Sequence, residues 1–317
     1  MGNPPHDQTY EGRALPRPQE ELADQGLGFD VGTLLSRRRM LAVFGIGAAG
    51  LGLAACGGSS GSTSSSSSSS SAAADASGEI PDETAGPYPG DGSNGPDVLE
   101  QSGIVRTDIR SSFGEYSGTA EGVPMTLELV VADLANGGAP FAGVAVYVWH
   151  CDRDGGYSLY SQGIEDQNYL RGVQIADADG RVTFTSIFPA CYPGRWPHIH
   201  FEVYSDEAGI ADATSAIATS QVALPKNACD AVYATDGYET SVRSLSELSL
   251  SSDNVFGDDG GASQLATVTG DVRSGYTVTL PVRIDTTTTP TGGQLSGDGA
   301  PSGAPGGRGG PPSRPTS

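Results

Sequence analysis

The sequence predicts an all-β fold, an antiparallel β-sandwich core with long loops, and three observations carry that expectation. Runs with a two-residue hydrophobic period recur along the middle of the chain. Clusters of Gly, Pro, Asp and Asn separate them. No long stretch of helical periodicity competes. The first run is Met125–Val131. In the second, Val144, Val146 and Val148 alternate with Ala145, Tyr147 and Trp149. Arg181–Ile187 follows the turn Asp177–Gly180, and His198–Tyr204 and Tyr276–Ile284 close the series. Within each run, side chains two apart share one face of a sheet. One short helix is expected within Ser241–Leu250, and no glycine pattern of a dinucleotide or phosphate loop occurs.

The domain expected from these runs spans 80–290, and different material flanks it. Residues 1–56 read as an export leader. Arg37, Arg38 and Arg39 precede the apolar run Leu41–Ala55, which is too short and too rich in Gly and Ala to span a bilayer comfortably. Paired arginines at the head of such a run point to the twin-arginine route. Leu53-Ala54-Ala55-Cys56 resembles a bacterial lipobox, which implies a lipidated Cys56 as the mature N-terminus. The expected location is the outer face of the cell membrane, as a lipoprotein, or secreted. Residues 57–79 are a Ser/Gly-rich linker, and 291–317 form a Gly/Pro-rich tail expected to be disordered.

Charge excludes some partners. The chain carries 38 acids against 17 bases, a net charge of -21. Such a surface disfavours nucleic acid and anionic membrane, so membrane contact is expected only through the anchor at Cys56. Beyond Cys56, three cysteines remain: Cys151, Cys191 and Cys229. In an oxidising compartment, one disulfide and one free buried thiol are expected, with the pairing left open.

Histidine is scarce, with four in the chain: His6, His150, His198 and His200. His198 and His200 share one face of a strand while Ile199 and Phe201 share the other, so two imidazoles can grip one metal. His150 reads as a satisfied structural histidine. Around the pair stands a longer series. Trp149–Ser158 contains a Gly-x-Tyr at Tyr157, and Pro189–His200 contains Tyr192, Arg195 and Trp196 ahead of the histidines.

This ordered series resembles the intradiol ring-cleavage dioxygenases, the family of catechol and protocatechuate 3,4-dioxygenases, and is most similar to its exported single-domain members. The resemblance runs from about Ile80 to Pro225. It implies iron held as Fe(III) by Tyr157, Tyr192, His198 and His200. Anionic phenolates favour the ferric state, and the metal's charge keeps them deprotonated. It further implies Arg195 as an electrostatic stabiliser of the substrate ring, Gln221 as its polar neighbour on the next strand, and Tyr192 as the ligand that is displaced and takes a proton. Gly86-Pro87-Tyr88 resembles the family's segment near the active site. The implied substrates are a small aromatic diol and O₂, and the implied product is a muconate-type diacid. Either a monomer or a homodimer is compatible with the sequence.

Some positions depart from the family. Cys191 stands where exported relatives often have Trp, Trp196 interrupts the stretch before the histidines, and the helical N-terminal domain of catechol 1,2-dioxygenases has no counterpart. Two other classes of function fit parts of the pattern. One is a zinc hydrolase using His198, His200 and a carboxylate such as Asp152 or Glu202. The other is a surface β-sandwich that binds a ligand without catalysis, the site being a relic.

Overall fold

The computed structural model describes residues 78–292, together with the backbone of Thr9–Tyr10 and Arg13–Ala14, which pair antiparallel. The export leader, Cys56, most of the 57–79 linker and the tail from 293 onward lie outside the described residues. No helix among the described residues is long and apolar enough to cross a membrane.

Residues 78–292 are rich in strand and form two sheets. In chain order the strands are β1 (Pro124–Asp133), β2 (Ala139–Pro140), β3 (Ala145–Trp149), β4 (Arg171–Ile175), β5 (Arg181–Ile187), β6 (His198–Tyr204), β7 (Ala216–Ala223), β8 (Thr267–Asp271) and β9 (Gly275–Ile284). One sheet runs β8-β9-β1-β2, with β5 also paired to β1. The other runs β4-β3-β6-β7 and is antiparallel throughout.

The apolar faces meet between the sheets. Leu127, Leu129 and Val131 of β1, Phe184 of β5 and Val278 and Leu280 of β9 share a core with Val146 and Val148 of β3 and Ile199, Phe201 and Val203 of β6. Fully burying each such side chain contributes roughly 1.5–3 kcal/mol. In β1 and β9 buried positions alternate with partly exposed ones, as a sheet wet on one face requires.

The expected antiparallel arrangement fails in one place. β9 runs parallel to β1, in register from Tyr276 opposite Met125 to Ile284 opposite Asp133. Alternation reports which face a side chain takes and is silent on the direction of the neighbouring strand.

β3 and β6 are buried at every position. One face meets the core just described. The other, bearing Tyr147, Trp149, His198, His200 and Glu202, is covered by the irregular stretch 80–113, which supplies Ala85, Val98, Leu99 and Ile104. That stretch satisfies its backbone against the sheets: Glu83 N–H donates to Thr219 O, Arg106 N–H to Val173 O and Ile109 N–H to Thr185 O, at 2.7, 3.0 and 3.0 Å. The described ends are tied down as well. Glu79 accepts from Asp285 N–H at 2.9 Å and Asp82 from Thr291 N–H at 2.6 Å.

Two helices follow β7: α1 (Lys226–Tyr233) and α2 (Glu239–Ser246). α2 is the helix expected within 241–250, shifted by two residues at its start. α1 was not anticipated. With eight residues, its apolar stripe of Ala228, Cys229 and Val232 is too short to stand out as a helical period, and packing against the core holds it.

The expected disulfide is corrected. Cys151, Cys191 and Cys229 are all buried free thiols. Their sulfurs point to different carbonyls, of Ala190, Arg195 and Leu224 at 3.7, 3.6 and 3.9 Å.

Candidate active site

Each side chain singled out in the sequence is placed by a specific local device. Tyr157 follows a tight loop after β3. The Asp152 carboxylate accepts from Asp154 N–H and Gly156 N–H at 3.0 and 2.8 Å and closes that loop. Gly155 sits at φ +88, a conformation open to glycine at little cost. Beyond Tyr157 its N–H donates to Ser161 Oγ at 2.9 Å, and Leu159 is held at φ 72, unusual for a non-glycine residue. Tyr192 begins the turn Tyr192-Pro193-Gly194-Arg195. Proline at the second position and glycine at φ +89 at the third fit a type II turn. His198 and His200 project from β6 on its loop-covered face, and Gln221 of β7 lies directly opposite His200.

Four donor atoms converge. Tyr157 Oη lies 3.3 Å from Tyr192 Oη and 3.4 Å from His198 Nε2. His198 Nε2 lies 3.1 Å from Tyr192 Oη and 3.1 Å from His200 Nε2. Four atoms about 2.0–2.1 Å from one tetrahedrally bound first-row ion would stand about 3.3 Å apart, so this donor set fits a metal. The two histidines are held differently. His198 Nδ1 faces Trp196 O at 2.5 Å, which puts its proton there and leaves Nε2 a lone pair directed at the cluster. His200 Nδ1 is buried with no hydrogen-bond partner among the described residues; its ring is held by stacking on Trp149, 4.9 Å between centroids and 7° between planes.

Burial drives the electrostatics. It pushes the Tyr157 phenol well above its ordinary range, with Tyr192 adding to the rise, and pushes Tyr192 up as well, although the Arg195 guanidinium opposes it. Burial also holds both histidines well below their usual value, followed by Arg195 for His198 and by His198 for His200. The imidazoles are therefore neutral and able to ligate, while the phenols need a nearby cation to ionise.

Arg195 is held at two of its three nitrogens. Nε donates to Asp253 Oδ2 at 3.1 Å and Nη2 to Gln221 Oε1 at 2.6 Å, while Nη1 lies 3.5 Å from His198 Nε2. Gln221 Nε2 donates to Thr84 O at 2.9 Å, tying β7 to the covering segment. That segment passes close over the histidines: a Cβ on Gly86, which has φ +72, would stand 3.2 Å from His200 Cε1. Tyr88 packs on Tyr157 with centroids 4.9 Å apart. Asp253 is the contributor that sequence reasoning missed, since a lone aspartate in a polar loop carries no pattern.

His150 stands apart. Its ring nitrogens lie 2.7 Å from Cys151 O and 2.7 Å from Ser186 Oγ, and burial lowers its pKa to about 4. The carboxylates that a zinc hydrolase would need are engaged elsewhere. Asp152 closes its loop and accepts from Tyr169 OH at 3.3 Å, and Glu202 accepts from Tyr204 OH at 2.7 Å. Among the described residues no three His, Cys, Asp or Glu side chains are grouped to hold a metal, so that reading lacks its third ligand. A surface depression of about 410 Å³, lined by Arg110, Glu121 and Ile187 among others, includes none of the four donors.

Residues 94–208 match the dioxygenase family model Dioxygenase_C. Chlorocatechol 1,2-dioxygenase of Rhodococcus opacus is 42% identical over 55 residues, 17% of this chain and 21% of that protein. Chlorocatechol 1,2-dioxygenase of Pseudomonas sp. (strain P51) is 35% identical over 99 residues, 25% of this chain and 37% of that protein. The chain is related to the intradiol ring-cleavage dioxygenases. The fold agrees: an intradiol ring-cleavage dioxygenase from Tetranychus urticae superposes with a TM-score of 0.54 at 21% identity, covering 68% of this chain and 98% of that one. The matched segment 94–208 contains Tyr157, Tyr192, Arg195, His198 and His200, whereas Glu83–Tyr88, Gln221 and Asp253 lie outside it. The chain spans about a fifth to a little over a third of the length of these two curated relatives.

Proposed function

We propose that this protein is a ferric intradiol dioxygenase that opens the ring of a small catechol-type diol with O₂, giving a muconate-type diacid. The observation that carries the reading is the convergence of two phenol oxygens and two imidazole nitrogens at 3.1–3.4 Å in a buried setting. Tyr157, Tyr192, His198 and His200 would hold the iron. Bound there, Fe(III) would withdraw electron density from a chelated catecholate and so make the ring reactive toward O₂.

The chain's own groups do the rest. Tyr192 is the more exposed of the two phenols, and its Oη, ionised when the site holds its cation, would take a proton from the diol. Arg195 Nη1 faces the donor cluster and stabilises negative charge on the ring. Gln221 Oε1 orients that guanidinium through Nη2. Gly86 and Tyr88 close over His200 and Tyr157 and exclude water. The leader and Cys56 support export and anchoring by lipid as part of the same reading.

Mass spectrometry of the product from catechol and O₂ tests the proposal. A muconate-type diacid is expected. A yellow semialdehyde would exclude the intradiol assignment, and no product from a broad catechol panel would favour a binding module.

A further inference from the structure

Resting on that reading, we infer that Asp253 is a positioning residue for the reaction: it sets the rotation of the Arg195 guanidinium and anchors the backbone that carries it. Asp253 follows a short helical turn at Leu250–Ser252, in a loop outside the segment shared with the intradiol family. Its carboxylate is fully shielded, and its two oxygens have separate tasks. Oδ1 accepts from Val255 N–H and Phe256 N–H at 2.9 and 3.1 Å, which shapes its own loop. Oδ2 accepts from Arg195 Nε–H at 3.1 Å and from Trp196 N–H at 2.6 Å, which serves the site.

The loop is a firm base for this. Val255 and Phe256 are buried in the main core, and Asp253 N–H donates to Ser249 O at 3.1 Å. A planar guanidinium has one remaining rotation once its Nε is fixed. With Nε on Asp253 and Nη2 on Gln221, Nη1 is left facing His198 Nε2. The same oxygen accepts from Trp196 N–H, in the peptide that joins Trp196 to Arg195; the carbonyl that faces His198 Nδ1 belongs to the following peptide. One buried oxygen thus holds the charge over the site and anchors the backbone beside it. Partners of this kind typically change activity about 10- to 100-fold when removed.

Asp253→Asn separates the two tasks, because a single amide oxygen cannot serve both pairs of donors. The first readout needs neither metal nor turnover: the Arg195 Nε–H cross-peak in the ¹⁵N–¹H spectrum of the metal-free protein, assigned by its loss in Arg195→Lys. It should be visible and slow to exchange with water in the wild type, and lost to exchange in Asp253→Asn. Rapid exchange in the wild type would overturn the inference without any variant, and so would an unchanged peak in Asp253→Asn. In the iron-loaded enzyme, Asp253→Asn should lower kcat about 10- to 100-fold with KM and iron content nearly constant. In an Arg195→Gln background it should add less than about twofold, because coupled residues are not additive. Effects that multiply in full would overturn the inference. If wild-type protein cleaves no catechol, the proposed function falls, and the cross-peak still decides the hold of Asp253 on Arg195.

Discussion

Arg171→Met offers a demanding test of how the covering segment is attached. Arg171, the first residue of β4, is 1% exposed and has no carboxylate partner among its contacts. Its Nε donates to Ser158 Oγ at 3.0 Å. Nη1 donates to Pro89 O and Tyr147 Oη at 2.6 and 3.0 Å, and Nη2 to Tyr88 O and Ser158 O at 2.9 and 2.9 Å. One side chain therefore clamps the Tyr88-Pro89 backbone to the loop that carries Tyr157.

Methionine would follow the aliphatic stem and remove every donor. The loss is smaller than five bonds suggest. Pro89 O keeps the Tyr147 hydroxyl at 2.7 Å, and Ser158 Oγ keeps its own bond to Tyr169 O at 2.7 Å. Tyr88 O and Ser158 O are left without a donor, at about 1–2 kcal/mol each. Relief of the buried guanidinium offsets part of this, so a loss of about 2 kcal/mol is expected, a large share of the roughly 5–15 kcal/mol that holds a domain together. With a urea slope of about 2 kcal/mol/M, the unfolding midpoint should fall by about 1 M. Arg171→Lys should fall between the two, since one ammonium cannot reach acceptors on both segments. A loss below about 1 kcal/mol for Arg171→Met, or full recovery with Lys, would refute the clamp.

Three further outcomes are expected. Tyr157→Phe and His200→Ala should lose bound iron and visible colour, whereas His150→Ala should keep both and lose only about 2 kcal/mol of stability, because its two ring contacts lie away from the donor cluster; metal analysis and absorbance read this directly. Burial, with Asp258 behind it, raises Glu83 from 4.5 to about 7, so the folded state holds this proton more tightly than the unfolded chain. Stability should therefore fall as pH rises from about 4.5 to about 7 and stay lower above, by about 1 kcal/mol once solvent screening of a half-buried group is allowed for. Urea midpoints for Glu83→Gln should match the wild type near pH 5 and exceed it at pH 8. Cys56→Ala should move the protein from the membrane fraction to the soluble fraction, since multiple acyl chains anchor firmly; retention in the membrane would point to the apolar run instead.

The histidine pair was legible from strand periodicity, while Tyr157, Tyr192, Arg195 and Gln221 were legible only through ordered motifs that resemble the intradiol family; compact turns explain where the structure puts the two tyrosines. His198 and His200 share a face because the side-chain period of a strand is two, and Ile199 and Phe201 enter the core for the same reason. Tyr192 is followed by proline and glycine, which dictate its turn, and Tyr157 follows a loop that an aspartate and a glycine can close. Other features had no local signature. The direction of β9 relative to β1 does not alter which residues alternate. Cysteine number suggested a pair, while bonding depends on where three sulfurs point.

The covering stretch 80–113 shows why the rest was hidden. It has no strand of its own, yet isolated parallel bridges at Val105 opposite Val173 and Asp108 opposite Thr185 let it lie along sheet edges. It needs no periodicity, because the sheets supply its backbone partners and its few apolar side chains need only reach one face. The outer face of β3 and β6 is thereby buried, although two-residue alternation alone would leave it in water. Burial at that face keeps the imidazoles neutral and raises the phenols, so a cation is the group best able to stabilise the four donors together. The metal-binding role proposed for the four side chains therefore depends on segments that periodicity cannot read: Thr84 and Gly86 above the site, and Asp253 behind Arg195.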